Sequence, residues 1–303
     1  MLCNFLRWRP PSPIRSNRSA LAFPYVTQTE HVEKSGYTQF RFSCETVLPG
    51  WSNRVLYDRK RKTHKTQRKT GTAVRIECRE IKFYYPGSTH PVLDNLSLVL
   101  EEPGLHGLFG PSGVGKTSLA KILSGLLQPA SGQIRTEGMN TVLYCHNLER
   151  LPGWSGVGRH LERVTPPHHA GLKETLIQRF GLDACLQRRF GGLSLGQQNR
   201  INLVRYLVQD MQLLIMDESL ANVDEHTRST ILVTIKEAFP QTCFLYISHN
   251  LVEVARFCRR IWVLRDPRKR PQAVSIQGLD ACHPGAAGIQ ALEKTMLEMM
   301  NAA

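Results

Sequence analysis

The sequence predicts an α/β fold, a mostly parallel sheet flanked by helices, and three observations carry that expectation. Short apolar runs (Leu105–Phe109, Leu213–Met216, Cys243–Ile247 and Ile261–Leu264) alternate with stretches of helical period. Gly110-Pro111-Ser112-Gly113-Val114-Gly115-Lys116-Thr117 fits G-x-x-x-x-G-K-[ST], a loop whose backbone N–H groups wrap a row of phosphates. That loop stands between an apolar run and a helical pattern, with Leu119, Ile122, Leu123 and Leu126 at i, i+3, i+4 and i+7. A helix starting there adds partial positive charge where phosphates would sit.

Composition narrows the field. The chain has 303 residues, and its 41% hydrophobic content is enough for one large domain or two small ones. The net charge of +14 is unevenly placed: residues 1–72 hold 14 Lys and Arg against 4 Asp and Glu, and the remainder holds 25 against 21. The eight cysteines (3, 44, 78, 145, 185, 243, 258 and 282) form no C-x-x-C pair, so neither a zinc site nor a redox motif is indicated and reduced thiols are expected. No run approaches 18 apolar residues, so no membrane-spanning helix is expected.

Residues 1–72 lack periodicity and end in a basic run from Arg59 to Lys69, which predicts a largely disordered extension. Its first 29 residues, with four Arg and no acid, have some likeness to an organelle transit peptide. The basic run suits contact with anionic lipid or nucleic acid, but a solvated tail, or an extension upstream of the real start, is the preferred reading.

Order is expected over 73–303. Val74, Ile76 and Cys78, then Ile81 and Phe83, read as a strand, and Leu96, Leu98 and Leu100 as another, making a small antiparallel layer. Ile134 and Thr141–Cys145 lie in further strands. Between 147 and 192, Pro152-Gly153, Gly156, Gly158 and Pro166-Pro167 break the first half, and Leu172, Leu176, Ile177 and Phe180 mark a helix in the second. Residues 147–210 are therefore expected as a helical subdomain. Helices are expected from about Leu195 to Gln209, around Ile231–Ala238 and through Val254, and a tail over 266–303 ends in a helix from Ile289 to Met300.

The apolar run ending in Asp217-Glu218 supplies what magnesium needs behind a phosphate loop: a carboxylate at a strand end, with the Thr117 hydroxyl as second oxygen. Glu218, directly after it, can polarise an attacking water.

Together these residues resemble the ATP-binding subunit of an ABC transporter, over about 74–265. Leu193-Ser194-Leu195-Gly196-Gln197-Gln198 resembles the LSGGQ signature, Ser219–Asp224 the D-loop, and Ser248-His249-Asn250 the switch histidine. The resemblance implies a P-loop NTPase fold of ABC type and an ATPase using ATP and Mg²⁺. Gly110 to Thr117, Lys116 among them, and Ser118 would hold the phosphates, Tyr85 would stack on adenine, and Thr117 and Asp217 would hold the metal. Glu218 would act on water and His249 would steady the γ-phosphate. Ser194, Gly196, Gln197 and Asp224 would meet the ATP held by a second ATPase subunit in a head-to-tail homo- or heterodimer. The implied partners are integral membrane permease subunits and a solute-binding protein rather than nucleic acid, which places the chain peripherally at the cytoplasmic face of the inner membrane.

Two departures bear on activity. Leu195 stands where the family has Gly, so its Cβ would crowd an incoming phosphate. His146, six residues before Pro152, stands where the family has a glutamine that touches magnesium, and imidazole suits hard Mg²⁺ less well than oxygen. Glu253, Arg260 and Ile261–Leu264 resemble importer ATPases of the nitrate, sulfonate and taurine type. The rival readings are a soluble ABC protein regulating an assembly or nucleic acid, and a scaffold that binds ATP but hydrolyses it poorly. In the transporter reading, the surface around His146–Trp154 receives a helix from the membrane partner.

Overall fold

The computed structural model describes residues 75–303 apart from 140, 148, 150, 152–155 and 284–287, together with the backbone of 33–34 and 37–38. It divides into two units, Met1–Thr66 and Gln67–Ala303. In the first, β1 (Glu33–Lys34) and β2 (Tyr37–Thr38) pair antiparallel. The expectations for the rest of 1–72, and for Trp154, lie outside the described residues.

The second unit opens with β3 (Arg75–Phe83) and β4 (Leu93–Leu100), an antiparallel pair. Ile76 and Cys78 point inward, yet the next inward residue is Ile81, three positions on instead of two. A bulge explains the slip: Glu80 takes φ 51°, its amide bonds the Ser97 hydroxyl, and the pairing shifts register between Cys78 and Ile81. β5 (Gly104–Phe109) leads through the glycine loop into α1 (Lys116–Leu123). The chain then returns as β6 (Ser131–Glu137), completing a three-stranded sheet in the order β4-β3-β6.

Helix α1 stops earlier than its apolar spacing predicts. Gly125, at φ 77°, donates to Ile122 O and Leu126 donates to Lys121 O, a pair of bonds that closes the helix end as a Schellman turn. Leu126 is thereby turned out, 62% exposed, rather than continuing the buried face.

The large sheet is built from β5, β7 (Val142–His146), β8 (Leu213–Asp217), β9 (Cys243–Ile247), β10 (Arg260–Leu264) and β11 (Ala273–Gln277), in the order β11-β10-β5-β9-β8-β7. All pairs are parallel except β10 with β11. Every residue of β8 and β9 is buried, as a sheet covered on both faces requires. Alternate side chains divide between two cores. Leu213, Ile215, Leu245 and Ile247 join α1 and the antiparallel sheet, and Leu214, Met216, Phe244 and Tyr246 join the helices behind.

Those helices are α2 (Val157–Val164), α3 (Ala170–Arg179), α4 (Leu195–Leu207), α5 (Glu225–Ala238), α6 (Leu251–Phe257) and α7 (Ile289–Ala302). Two elements depart from the sequence reading. Helix α2 forms in the half expected to be broken, with Gly156 at its N-cap and Gly158 inside its first turn, where glycine packs against Leu186. Strand β11 was not foreseen, because five residues behind a basic, proline-containing turn carry too little alternation to stand out. Among the described residues six cysteines are free and no helix is long and apolar enough to cross a membrane.

Candidate functional site

Because β5, β7, β8 and β9 run parallel, their carboxyl ends share one edge of the sheet, the place where α/β folds of this kind bind ligands. Each strand delivers its candidate residues there: β5 the glycine loop, β7 His146, β8 Asp217 and Glu218, and β9 Ser248 and His249.

The loop is shaped for an anion. Gly113 has φ 77° and nothing within 4 Å of where a Cβ would stand, and Pro111, Ser112 and Gly113 are exposed. Helix α1 starts on Gly115, which offers no side-chain cap, as is also the case for α2, α3 and α7, whereas Ser194, Asp224 and Asn250 cap α4, α5 and α6. The first amides of α1 are therefore left for a ligand to satisfy. Lys116 curls over the loop, its Nζ donating to the carbonyls of Gly110 and Pro111 at 2.8 Å each. Burial lowers its pKa, while Glu218 and Asp217 act in the opposite direction. Beside the loop, the Tyr85 hydroxyl and Ser118 Oγ are 2.8 Å apart, and the Tyr85 ring stands edge-on to Phe83, half exposed.

Asp217 is 6% exposed, and the Tyr144 hydroxyl donates to its Oδ2 at 2.8 Å. Burial and the neighbouring carboxylate push the Tyr144 phenol well above its usual pKa, so it stays a donor. Asp217 and Thr117 line one cleft of about 760 Å³ with His146, Tyr144 and Glu218, a cleft that runs along the edge strand β7. Two oxygen donors, a hydroxyl and a buried carboxylate with one oxygen already held, fit Mg²⁺. His146 pairs with Asp217 in the strand register, and its exposed ring stacks on Tyr144 with centroids 5.4 Å apart. Sequence reasoning missed Tyr144, although its place two residues before His146 puts both on one face of a strand.

Glu218 sits at φ 49°, a conformation that costs a non-glycine residue about 1 kcal/mol and turns the side chain out of the strand line. Its Oε1 lies 3.8 Å from Nδ1 of His249. Behind them a second cavity of about 130 Å³ is bordered by Arg228, Tyr246 and Glu253. Glu253, 3% exposed, accepts from Arg228 Nε and, at 2.9 Å, from the Tyr246 hydroxyl, which ties α5 to the strand carrying His249.

Ser194 and Gln197 close the start of α4 with a reciprocal pair of hydrogen bonds, worth about 1 kcal/mol. At Gly196 a Cβ would stand 2.5 Å from Asn222 O, so this helix start and the loop before α5 touch backbone to backbone. Leu195, beside Gly196 in the chain, is 52% exposed. Asp224 caps α5, and the Thr227 amide holds its carboxyl below the usual range. The segment after His146 is pinned to α4 and to the loop before α5. Asn199 and Asn222 both donate to Asn147 Oδ1 (3.0 and 3.2 Å), Asn202 donates to Glu149 O, and Arg205 and Tyr206 hold the Glu149 carboxylate. None of these polar links was visible in the sequence, because each joins residues 52 to 75 positions apart.

The comparisons follow the same lines. Residues 93–221 match the family described as ABC transporter. The nickel import ATP-binding protein NikE of Pseudomonas putida is 33% identical over 227 residues, 66% of this chain and 83% of that protein. The taurine import ATP-binding protein TauB of Pseudomonas savastanoi pv. phaseolicola is 31% identical over 199 residues, 59% of this chain and 74% of that one. The ribose import ATP-binding protein RbsA of Halalkalibacterium halodurans is 30% identical over 204 residues, and the chain spans only 41% of its length. The solved structure of an ATP binding subunit of an ABC transporter superposes with a TM-score of 0.61 at 19% identity, over 74% of this chain and 99% of that one, a likeness of fold. The chain belongs to the ABC transporter ATP-binding family.

Proposed function

We propose that the chain binds Mg·ATP and hydrolyses it as one half of a head-to-tail pair of ATPase subunits, with 73–303 as the cassette and 147–210 as its helical part. The observation that carries this reading is the convergence, on one sheet edge, of an uncapped helix start, the oxygen donors Thr117 and Asp217, and the facing pair Glu218 and His249. Backbone amides of Gly110–Thr117, with Lys116 and Ser118, hold the phosphates, and Tyr85 lies against the adenine. When bound, Mg²⁺ supplies neutralisation of charge at the phosphate oxygens. Glu218 takes the proton of the attacking water as its oxygen adds to the γ-phosphorus, the bond from that phosphorus to the β,γ-bridging oxygen breaks so that ADP leaves with inorganic phosphate as the other product, and His249 donates a hydrogen bond to a γ-phosphate oxygen.

Ser194, Gly196, Gln197 and Asp224 lie at the starts of α4 and α5 rather than on the glycine loop, which suits a surface that closes a partner's site. Closure then passes to separate permease chains at the cytoplasmic face of the membrane, in the direction of import, as the relatives' names suggest. Light scattering of purified Glu218→Gln tests the pairing: with Mg·ATP the mass should double, and without nucleotide it should not. A mass unchanged by ATP at micromolar protein would overturn the homodimeric form of the proposal, and copurification with permease chains from membranes tests the transport role.

A further inference from the structure

Three side chains that the ATP site does not use meet at the opposite end of α4. His168 and His169 lie on the 3₁₀ turn Pro167–His169 that precedes α3, and Asp210 follows α4, just before β8. One ligand atom from each lies within 4.8 Å of the other two. His168 Nε2 is 3.1 Å from Asp210 Oδ1, and His169 Nε2 is 3.8 Å from the same oxygen.

The tautomer of His169 gives the arrangement its meaning. Its Nδ1 is 2.9 Å from Val208 O, and a carbonyl only accepts, so Nδ1 carries the proton. In the neutral ring Nε2 is then a bare lone pair, aimed at a carboxylate that also offers only lone pairs. Something positive belongs between them. A histidine whose far nitrogen donates to a backbone carbonyl is the arrangement that orients metal-bound imidazoles. Tetrahedral Zn²⁺ with bonds of about 2.0–2.1 Å sets its ligand atoms about 3.3 Å apart. The observed 3.1 and 3.8 Å lie within about 0.5 Å of that spacing, the two imidazole nitrogens stand within 4.8 Å of each other, and the His168 ring is exposed enough to swing in and close the remaining distance. Two imidazoles and one carboxylate suit borderline Zn²⁺ rather than Mg²⁺.

We propose that His168, His169 and Asp210 form a Zn²⁺ site, with water completing the coordination, that fastens the start of α3 to the end of α4. The proposal is independent of ATP binding. It is tested on the full chain, stripped with chelator and free of nucleotide, by equilibrium dialysis against Zn²⁺. Wild type should bind one ion more than His169→Ala or Asp210→Asn, or bind it at least about tenfold more tightly. Co²⁺ should give visible d–d bands with wild type that both variants lose, and Zn²⁺ should raise the melting temperature of wild type alone. If His169→Ala melts lower than wild type in chelator, His168→Ala, at the more exposed position, carries the comparison. Equal stoichiometry and affinity in wild type and variants, with no Co²⁺ bands, would overturn the proposal and leave the trio as an imidazolium–carboxylate cluster.

Discussion

Oε1 of Glu218 and Nδ1 of His249 lie 3.8 Å apart, at the ends of two neighbouring parallel strands. Register brings the two close, since Asp217 pairs with Ile247, and Glu218 stands one residue and His249 two residues past those paired strand ends. Glu218 shares a cleft with Thr117 of the glycine loop, and His249 stands beside Glu218. In the proposed roles His249 acts on a phosphate and not on the loop's fold. His249→Ala should therefore lower the hydrolysis rate about 10²-fold or more while ATP affinity changes only a few fold, compared by phosphate release and by nucleotide titration.

Gly196 is required by a close approach. A methyl group there would stand 2.5 Å from Asn222 O, which is backbone and cannot swing aside. Gly196→Ala should cost about 1–3 kcal/mol of stability and push the start of α4 away from the loop before α5. Chemical denaturation would read the first effect and hydrogen exchange at Asn222 and Val223 the second.

Tyr144 orients the carboxylate proposed to hold Mg²⁺. Tyr144→Phe removes the donor to Asp217 Oδ2 and leaves a buried oxygen unpaired, at about 1–3 kcal/mol. The Mg²⁺ concentration for half-maximal hydrolysis should rise about tenfold. An unchanged Mg²⁺ dependence would make Tyr144 a packing residue only.

Asp280 accepts from Lys236 Nζ at 2.6 Å and from Arg259 Nε at 2.8 Å. Burial raises its pKa, but these two hydrogen bonds outweigh burial and hold it below the usual carboxylate value. A depressed folded-state pKa stabilises the fold above the unfolded value, about 3.9, and that contribution is lost as pH falls through the folded one. Asp280→Asn suits the residue's φ of 50°, which Asn tolerates. The variant should melt below wild type at pH 7, and the gap should close below about pH 4.

The glycine loop, Asp217-Glu218 and the alternation of strands with helices were legible because they are local: a motif, a period of 3.6 and short apolar runs. Contacts between distant segments were not. Nothing in the order Leu143-Tyr144-Cys145 announces that a phenol reaches Asp217, or that Asn147 will accept from both Asn199 and Asn222. The end of α1 was misplaced because the spacing of Leu126 outvoted Gly125, whose positive φ ends the helix. Helix α2 was missed because glycines that signal a break can also mark close packing, as Gly158 does against Leu186.

In the proposed mechanism this chain hydrolyses ATP with Glu218 as the base. The most direct measurement is phosphate release from Mg·ATP by purified wild type beside Glu218→Gln, with ATP binding to both followed by titration. Wild type should turn over ATP, and the variant should be slower by about 10²–10⁴ with ATP affinity within a few fold of wild type. Turnover in Glu218→Gln close to that of wild type would contradict that mechanism.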